Sequence, residues 1–232
     1  MKSGRSNLAR LYELQDQARG LPGCYDFDAS DNPIHLKFLR DIESELQGLD
    51  SVSWDLLKSE AAPLVTEKDL KRGWQPLWDK LNEAKGYKYL VGKGCSEVRF
   101  IRRASAKRQR TPDVEGMLGA TKVLCEVKTI NPSEDELAHR RDYSVSTISI
   151  RLPAEFFDKL KKTLETARDQ MTAYSSAVGT RKIALVVITY DDMLHEYVAN
   201  YSTQIEAFVA TKPVPDLEIA FDAKPAFYFA TA

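Results

Sequence analysis

Apolar side chains recur at helical spacing from Asn7 to about Lys85, and this third of the chain is expected to form packed helices. Leu8, Leu11 and Leu14 mark a first helix, and Leu36, Leu39, Ile42 and Leu46 continue a stripe in a second. The turn-rich stretch from Gly20 through Asp31-Asn32-Pro33 separates the two. Pro76-Leu77 opens another helix, with Leu77, Trp78, Leu81 and Ala84 on one face and Gly86 at its close.

After Gly92 the period shortens to that of strands. Val98, Phe100 and Ile101 lead into a basic stretch, and Thr111–Leu118 and Val123–Ile130 read as two strands around a turn at Gly119. Pro132 and the polar run Ser133–Asp142 predict an exposed excursion, followed by a short strand over Val145–Ile150. Phe156, Leu160, Leu164, Ala167, Met171 and Tyr174 then form the longest helical stripe. Lys182–Tyr190, an unbroken apolar run, reads as a strand buried on both faces. A helix over Met193–Ala210 and a closing segment, Leu217–Phe221 and Ala226–Phe229, complete the chain. Helix, three strands, helix, strand is the order of an α/β fold, a mixed sheet between helices. The expected division is an N-terminal helical extension, residues 1–73, and an α/β core with C-terminal helix and strands, residues 74–232.

Composition narrows the classes further. At 232 residues the chain can bury a proper core, and its 43% hydrophobic and 29% charged content excludes disordered, collagen-like and disulfide-scaffold classes. No apolar run approaches the roughly 20 residues that span a bilayer, and the basic start at Met1-Lys2 is followed by no apolar stretch, so neither a membrane anchor nor a secretory signal is expected. Cys24, Cys95 and Cys125 are odd in number and widely spaced; they read as buried small apolar residues in a reducing, cytoplasmic compartment. His35, His139 and His195 have no metal-ligand spacing. Trp54, Trp74 and Trp78 read first as core residues, with base stacking the minor alternative.

Candidate chemistry lies in Thr111-Pro112-Asp113-Val114-Glu115-Gly116 and Leu124-Cys125-Glu126-Val127-Lys128-Thr129-Ile130. Alternation along a strand puts Glu126 and Lys128 on one face and Cys125, Val127 and Thr129 on the other. Charged groups inside an apolar sheet are costly without a partner. A divalent cation held by Glu126 and by Asp113, at the start of the adjacent strand, would supply one. Such a site suits a phosphodiester: carboxylate oxygens hold Mg²⁺ or Mn²⁺, and Lys128 orients the nucleophile, stabilises developing charge or serves as a base.

Pro112-Asp113 followed by Glu126-Val127-Lys128 on an apolar strand resembles the signature of the PD-(D/E)XK nuclease superfamily, from roughly Trp74 to Tyr190. The resemblance implies a restriction-endonuclease-like αβββαβ core, carboxylate-bound Mg²⁺ and phosphodiester hydrolysis in DNA or, less often, RNA. Gln170 and Tyr174, one turn apart on the helix after the Glu126 strand, are similar to the QxxxY element of RecB-type exonucleases, which lies beside the metal site. Many members add a glutamate from the helix before the first strand. Glu83, Glu97 and Glu115 are the candidates here, and none is assigned.

The chain as a whole is near neutral, with Lys+Arg 33 against Asp+Glu 34, but its charge is unevenly distributed. Arg99, Arg102, Arg103, Lys107, Arg108 and Arg110 lead to Asp113 without an intervening acid and suit a phosphate backbone. Lys159, Lys161 and Lys162 read as the solvent face of their helix. The expected partner is therefore nucleic acid, DNA before RNA, and a homo-oligomer is compatible with the sequence. Two other readings differ in kind: a nucleic-acid-binding or scaffold protein that keeps the nuclease fold without turnover, and an interaction protein in which the motif match is accidental. Simultaneous replacement of Arg102, Arg103 and Arg108 by Ala is expected to weaken nucleic-acid binding in a fluorescence-anisotropy titration; undiminished binding would remove the basic run from the partner assignment.

Overall fold

A computed structural model describes residues 7–18, 21–28, 33–102, 111–131, 150–190 and 197–225. The described chain forms two compact units that part in sequence between Lys93 and Gly94.

The first unit is helical. It comprises α1 (Ala9–Gln17), α2 (Pro33–Gln47), α3 (Ser51–Ala61) with a 3₁₀ turn over Ala62–Val65, α4 (Gln75–Leu81) and α5 (Glu83–Gly92). Leu11 and Leu14 of α1 are buried as their spacing predicts, but on α2 His35 and Phe38 join Leu39, Ile42 and Leu46 inside while Leu36 is half-buried. Asp50 starts α3 as an N-cap, its carboxylate accepting the Ser53 N–H at 2.8 Å and the Tyr87 hydroxyl at 2.7 Å. Trp54, Trp74 and Trp78 are buried core residues, and Trp78 meets Tyr25, Phe27 and Phe38 edge to face. The helix expected to close at Gly86 is two helices that break at Asn82, and Gly86 sits buried inside the second. The boundary expected at residue 74 falls inside this unit, because α4 packs on α3 and α5 on α2.

The second unit is α/β, with elements in the order β1 (Ser96–Phe100), β2 (Val114–Leu118), β3 (Thr121–Ile130), α6 (Ala154–Tyr174), β4 (Arg181–Tyr190), α7 (Val198–Thr211) and β5 (Glu218–Pro225). One five-stranded mixed sheet runs β1-β2-β3-β4-β5. The first three strands form an antiparallel meander; β4 lies parallel to β3 and β5 parallel to β4, each parallel step crossing through a helix. Gly119, with φ of 60°, sits first in the two-residue turn that joins Leu118 to Thr121, a place where a side chain would strain the backbone. β3 and β4 are central, so Val123–Val127 and Ile183–Thr189 are buried on both faces. On one face Leu124, Ile130, Ala184, Val186 and Ile188 pack with Leu160, Leu164, Ala167 and Met171 of α6 and Tyr201 and Ile205 of α7.

Single elements and side chains agree with expectation in part. The closing segment is one strand, Glu218–Pro225, that extends the sheet beyond β4; Ala226–Phe229 lie outside the described residues. The helix expected from Met193 is described from Val198 to Thr211. Cys24 and Cys95 are half-buried, and only Cys125 is fully enclosed. The excursion over 133–142 and residues 145–149 of the short strand expected over 145–150 also lie outside the described residues, as do His139 and His195; Ile150 is described and sits in a bend. Among the described residues no helix is long and apolar enough to cross a membrane.

The Asp50 cap gives a direct test of the first unit. Asp50→Ala is expected to lower unfolding free energy by about 1 kcal/mol, read by urea denaturation; an unchanged midpoint would show that the cap carries no net stability.

Candidate functional site

Register brings the two carboxylates together. Val114 pairs with Cys125 and Glu115 with Leu124, so Asp113, immediately ahead of β2, falls opposite Glu126 and on its face of the sheet. The Asp113 carboxylate accepts the Val127 backbone N–H at 2.8 Å, and its own carbonyl accepts the Ile101 N–H at 2.9 Å. Asp113 is thereby tied to both neighbouring strands while its side chain stays half-buried.

Glu126 is enclosed, its side chain 3% exposed, and both of its oxygens are engaged. Lys128, two residues along the same face, donates its ammonium to Oε1. Gln170 of α6 donates Nε2 to Oε2 at 2.9 Å and to the Thr111 carbonyl at 2.6 Å, while its Oε1 accepts from Lys128 at 3.4 Å. This orientation of the amide gives donors to both oxygens and an acceptor to the ammonium; the flipped amide would meet like with like. Gln170 therefore joins α6, the entry to β2 and the charged pair on β3 in one network, and it is not the solvated residue that a purely apolar helix stripe would leave. The Lys128 side chain, 26% exposed, gives the network its opening to solvent. On the opposite face, burial first, and then the Asp113 and Glu126 carboxylates, push the Cys125 thiol well above its usual pKa, so it stays protonated and unreactive.

Of the five residues expected at the centre, Glu126, Lys128 and Gln170 share one hydrogen-bonded network, and Asp113 lies opposite Glu126 with its carboxylate on the Val127 N–H. Tyr174, one turn further along α6, packs at the edge of the apolar core, and the Lys122 ammonium stands 5.3 Å from its ring centroid. Glu115 lies on the same face as Asp113 but pairs with Arg99, at 2.6 Å, and with Lys122, at 2.7 Å. Glu83 pairs with Lys80 in the first unit at 2.7 Å, and Glu97 sits at a strand irregularity with φ of 52°. Arg102 is exposed just after β1; Arg103, Lys107, Arg108 and Arg110 lie outside the described residues. Lys159, Lys161 and Lys162 are exposed as expected, with Lys159 donating to the Asn131 carbonyl at 3.0 Å. Lys122 was not among the expected site residues. Its position diagonal to Glu115 follows from the hairpin register, which the turn at Gly119 sets.

The donor set defines what the centre can hold. Two carboxylates at one strand end offer hard oxygen ligands of the kind Mg²⁺ and Mn²⁺ prefer. Among the described residues, no group of three or more His, Cys, Asp or Glu could hold a metal ion, so such a cation would take its remaining ligands from water or substrate. No family model, curated protein or solved structure matches the chain.

Burial alone would raise the Glu115 pKa, but the Lys122 and Arg99 partners outweigh it and hold the carboxyl below its usual range. A depressed folded-state value means that the stabilisation is present above the unfolded carboxyl pKa of about 4.3 and is lost as pH falls through the folded value. Glu115→Gln is accordingly expected to be about 1–2 kcal/mol less stable at pH 7, with the gap closing toward roughly pH 3. Denaturation curves across that range check it, and a gap independent of pH would contradict the charge pairing.

Proposed function

We propose that the chain is a metal-dependent nuclease of the PD-(D/E)XK type that hydrolyses phosphodiester bonds, with DNA as the substrate. The observation that carries this reading is the network of Glu126, Lys128 and Gln170 with Asp113 opposite Glu126 on the same face: Gln170 donates to Glu126 at 2.9 Å, and the Asp113 carboxylate accepts the adjacent Val127 N–H at 2.8 Å. Burying an acidic residue on a central strand is unfavourable for folding alone, and clusters of this kind concentrate at functional sites. The meander β1–β3, the crossover helix α6 and the parallel strand β4 also follow the βββαβ order of the restriction-endonuclease-like core.

In this reading each residue has a distinct task. Asp113 and Glu126 would hold Mg²⁺ or Mn²⁺, which when bound neutralises charge on the phosphate and lowers the pKa of a coordinated water. Lys128 reaches solvent from beside Glu126, where it orients the attacking water or donates to the oxygen on which negative charge develops. Gln170 is a positioning residue: it fixes the Glu126 carboxylate through Oε2 and holds the Lys128 ammonium through Oε1. Tyr174 at the end of α6 and Lys122 at the start of β3 lie against each other at the margin of this face.

One observation favours a binding protein without turnover: both Glu126 oxygens already have donors within the chain. The two readings separate in a single set of measurements. Purified protein with Mg²⁺ or Mn²⁺ is expected to cleave DNA, and Lys128→Ala to slow the single-turnover rate by about 10²-fold or more at a temperature where far-UV circular dichroism shows both proteins folded. Absence of cleavage with either ion, or an unchanged rate in Lys128→Ala, ends the nuclease reading; calorimetric metal binding without cleavage would establish the inactive one.

A further inference from the structure

The irregularity in β1 has a consequence at the site. Ser96 pairs with Met117, and continuing that register would set Val98 opposite Glu115; the strand instead pairs Arg99 with Glu115. The extra residue is accommodated at Glu97, which adopts φ of 52°, a left-handed conformation unfavourable for a residue with a side chain. The bulge turns Val98 to the opposite face, against Gly116, where an added Cβ would come within 3.1 Å of Val98 Cγ2. It turns Arg99 onto the face that carries Asp113, Glu126 and Lys128. A strained backbone residue whose result is to exchange a valine for an arginine on that face points to a use for the arginine.

Arg99 does not stand alone there. Its guanidinium donates Nε at 2.8 Å and Nη2 at 2.6 Å to one oxygen of Glu115, and the Lys122 ammonium lies 2.7 Å from the other oxygen. The Glu115 side chain is only 9% exposed, whereas Arg99 is 69% and Lys122 38% exposed, so the buried carboxylate anchors two cations whose outer surfaces face water. Tyr174 supports Lys122 on a second side through its ring. Two cations on one carboxylate leave an excess positive charge in a prearranged geometry, and Arg99 retains donors for a phosphate. Glu115 and Asp113 are two residues apart on one strand face, about 6.8 Å along the chain.

We infer that Arg99 and Lys122, anchored by Glu115, form a phosphate-binding subsite for the nucleic-acid backbone beside the Asp113–Glu126 centre. The contact to phosphate stands on the cation geometry; its assignment to a phosphate flanking the cleaved one rests on the nuclease reading above. Glu115 is thus a positioning residue for the cations rather than a third metal ligand.

The test is binding of a labelled duplex DNA in EDTA, followed by anisotropy over a range of salt concentrations, so that neither metal nor cleavage enters. Arg99→Gln and Lys122→Gln are made singly, so that Glu115 keeps one cation in each, and far-UV circular dichroism with a thermal melt checks the fold. Each is expected to reduce the slope of log K against log salt by about 0.9, the loss of one phosphate contact on B-DNA. Lys161→Gln, which removes the same charge from the exposed face of α6, is expected to leave the slope unchanged. An unchanged slope in either subsite variant, an equal reduction in Lys161→Gln, or absence of duplex binding by the wild-type chain would overturn the inference. Binding with the expected slopes but no cleavage in Mg²⁺ or Mn²⁺ would end the nuclease reading and leave the subsite standing.

Discussion

The site-bearing unit is organised around a carboxylate, Glu126, buried in a central strand. An ionised group in that position is tolerated only when its charge is matched and its oxygens have donors, and Lys128 and Gln170 supply both. Each donor constrains something larger. Lys128 fixes which face of β3 is polar, and Gln170 fixes the rotation of α6 over the sheet, because its amide must reach Glu126 and the Thr111 carbonyl together. The apolar contacts of Leu160, Leu164, Ala167 and Met171 are compatible with that rotation and stabilise it, so the polar end and the apolar body of the helix select one arrangement.

A second charged cluster uses the same logic at the sheet margin. Glu115 is buried between Arg99 and Lys122, which lie on the two neighbouring strands, Arg99 opposite it and Lys122 diagonal to it. Removing water from Glu115 disfavours its charge, but two cations at hydrogen-bond distance more than offset this, so its pKa falls. The same pairing leaves two cationic surfaces turned to solvent. The side chain thus joins local stability to a surface suited to anions, and the bulge at Glu97 makes the combination available by bringing Arg99 round to the correct face.

The helical first unit solves a different problem. Its centre is aromatic, with Tyr25, Phe27, Phe38 and Trp78 in edge-to-face contact, and several of its polar groups are joined by long-range pairs such as Lys85 with Glu45 at 2.6 Å. The Tyr25 hydroxyl lies 2.7 Å from the His35 ring nitrogen inside this core; burial raises the tyrosine pKa and lowers that of the histidine, so both remain neutral near pH 7. These groups are explained by packing, and the tryptophans with them.

What the sequence determined by itself is whatever depends on neighbours in the chain. Period-two alternation placed Glu126 and Lys128 on one face, the turn at Gly119 set the hairpin that carries Asp113 to Glu126, and the apolar stripe on α6 named its buried side. The α/β class followed from the order of those patterns. Tertiary structure decided the rest. The division after Lys93 depends on α4 and α5 packing against α3 and α2, which no local pattern specifies. Parallel addition of β5 to β4 is a long-range pairing, and the separate destinations of Gln170 and Tyr174 depend on which residue of β3, Glu126 or Lys122, lies beside each turn of α6. Least legible was the bulge at Glu97. Its energetic cost is local, but its result, an arginine opposite Glu115, exists only once β1 and β2 are side by side.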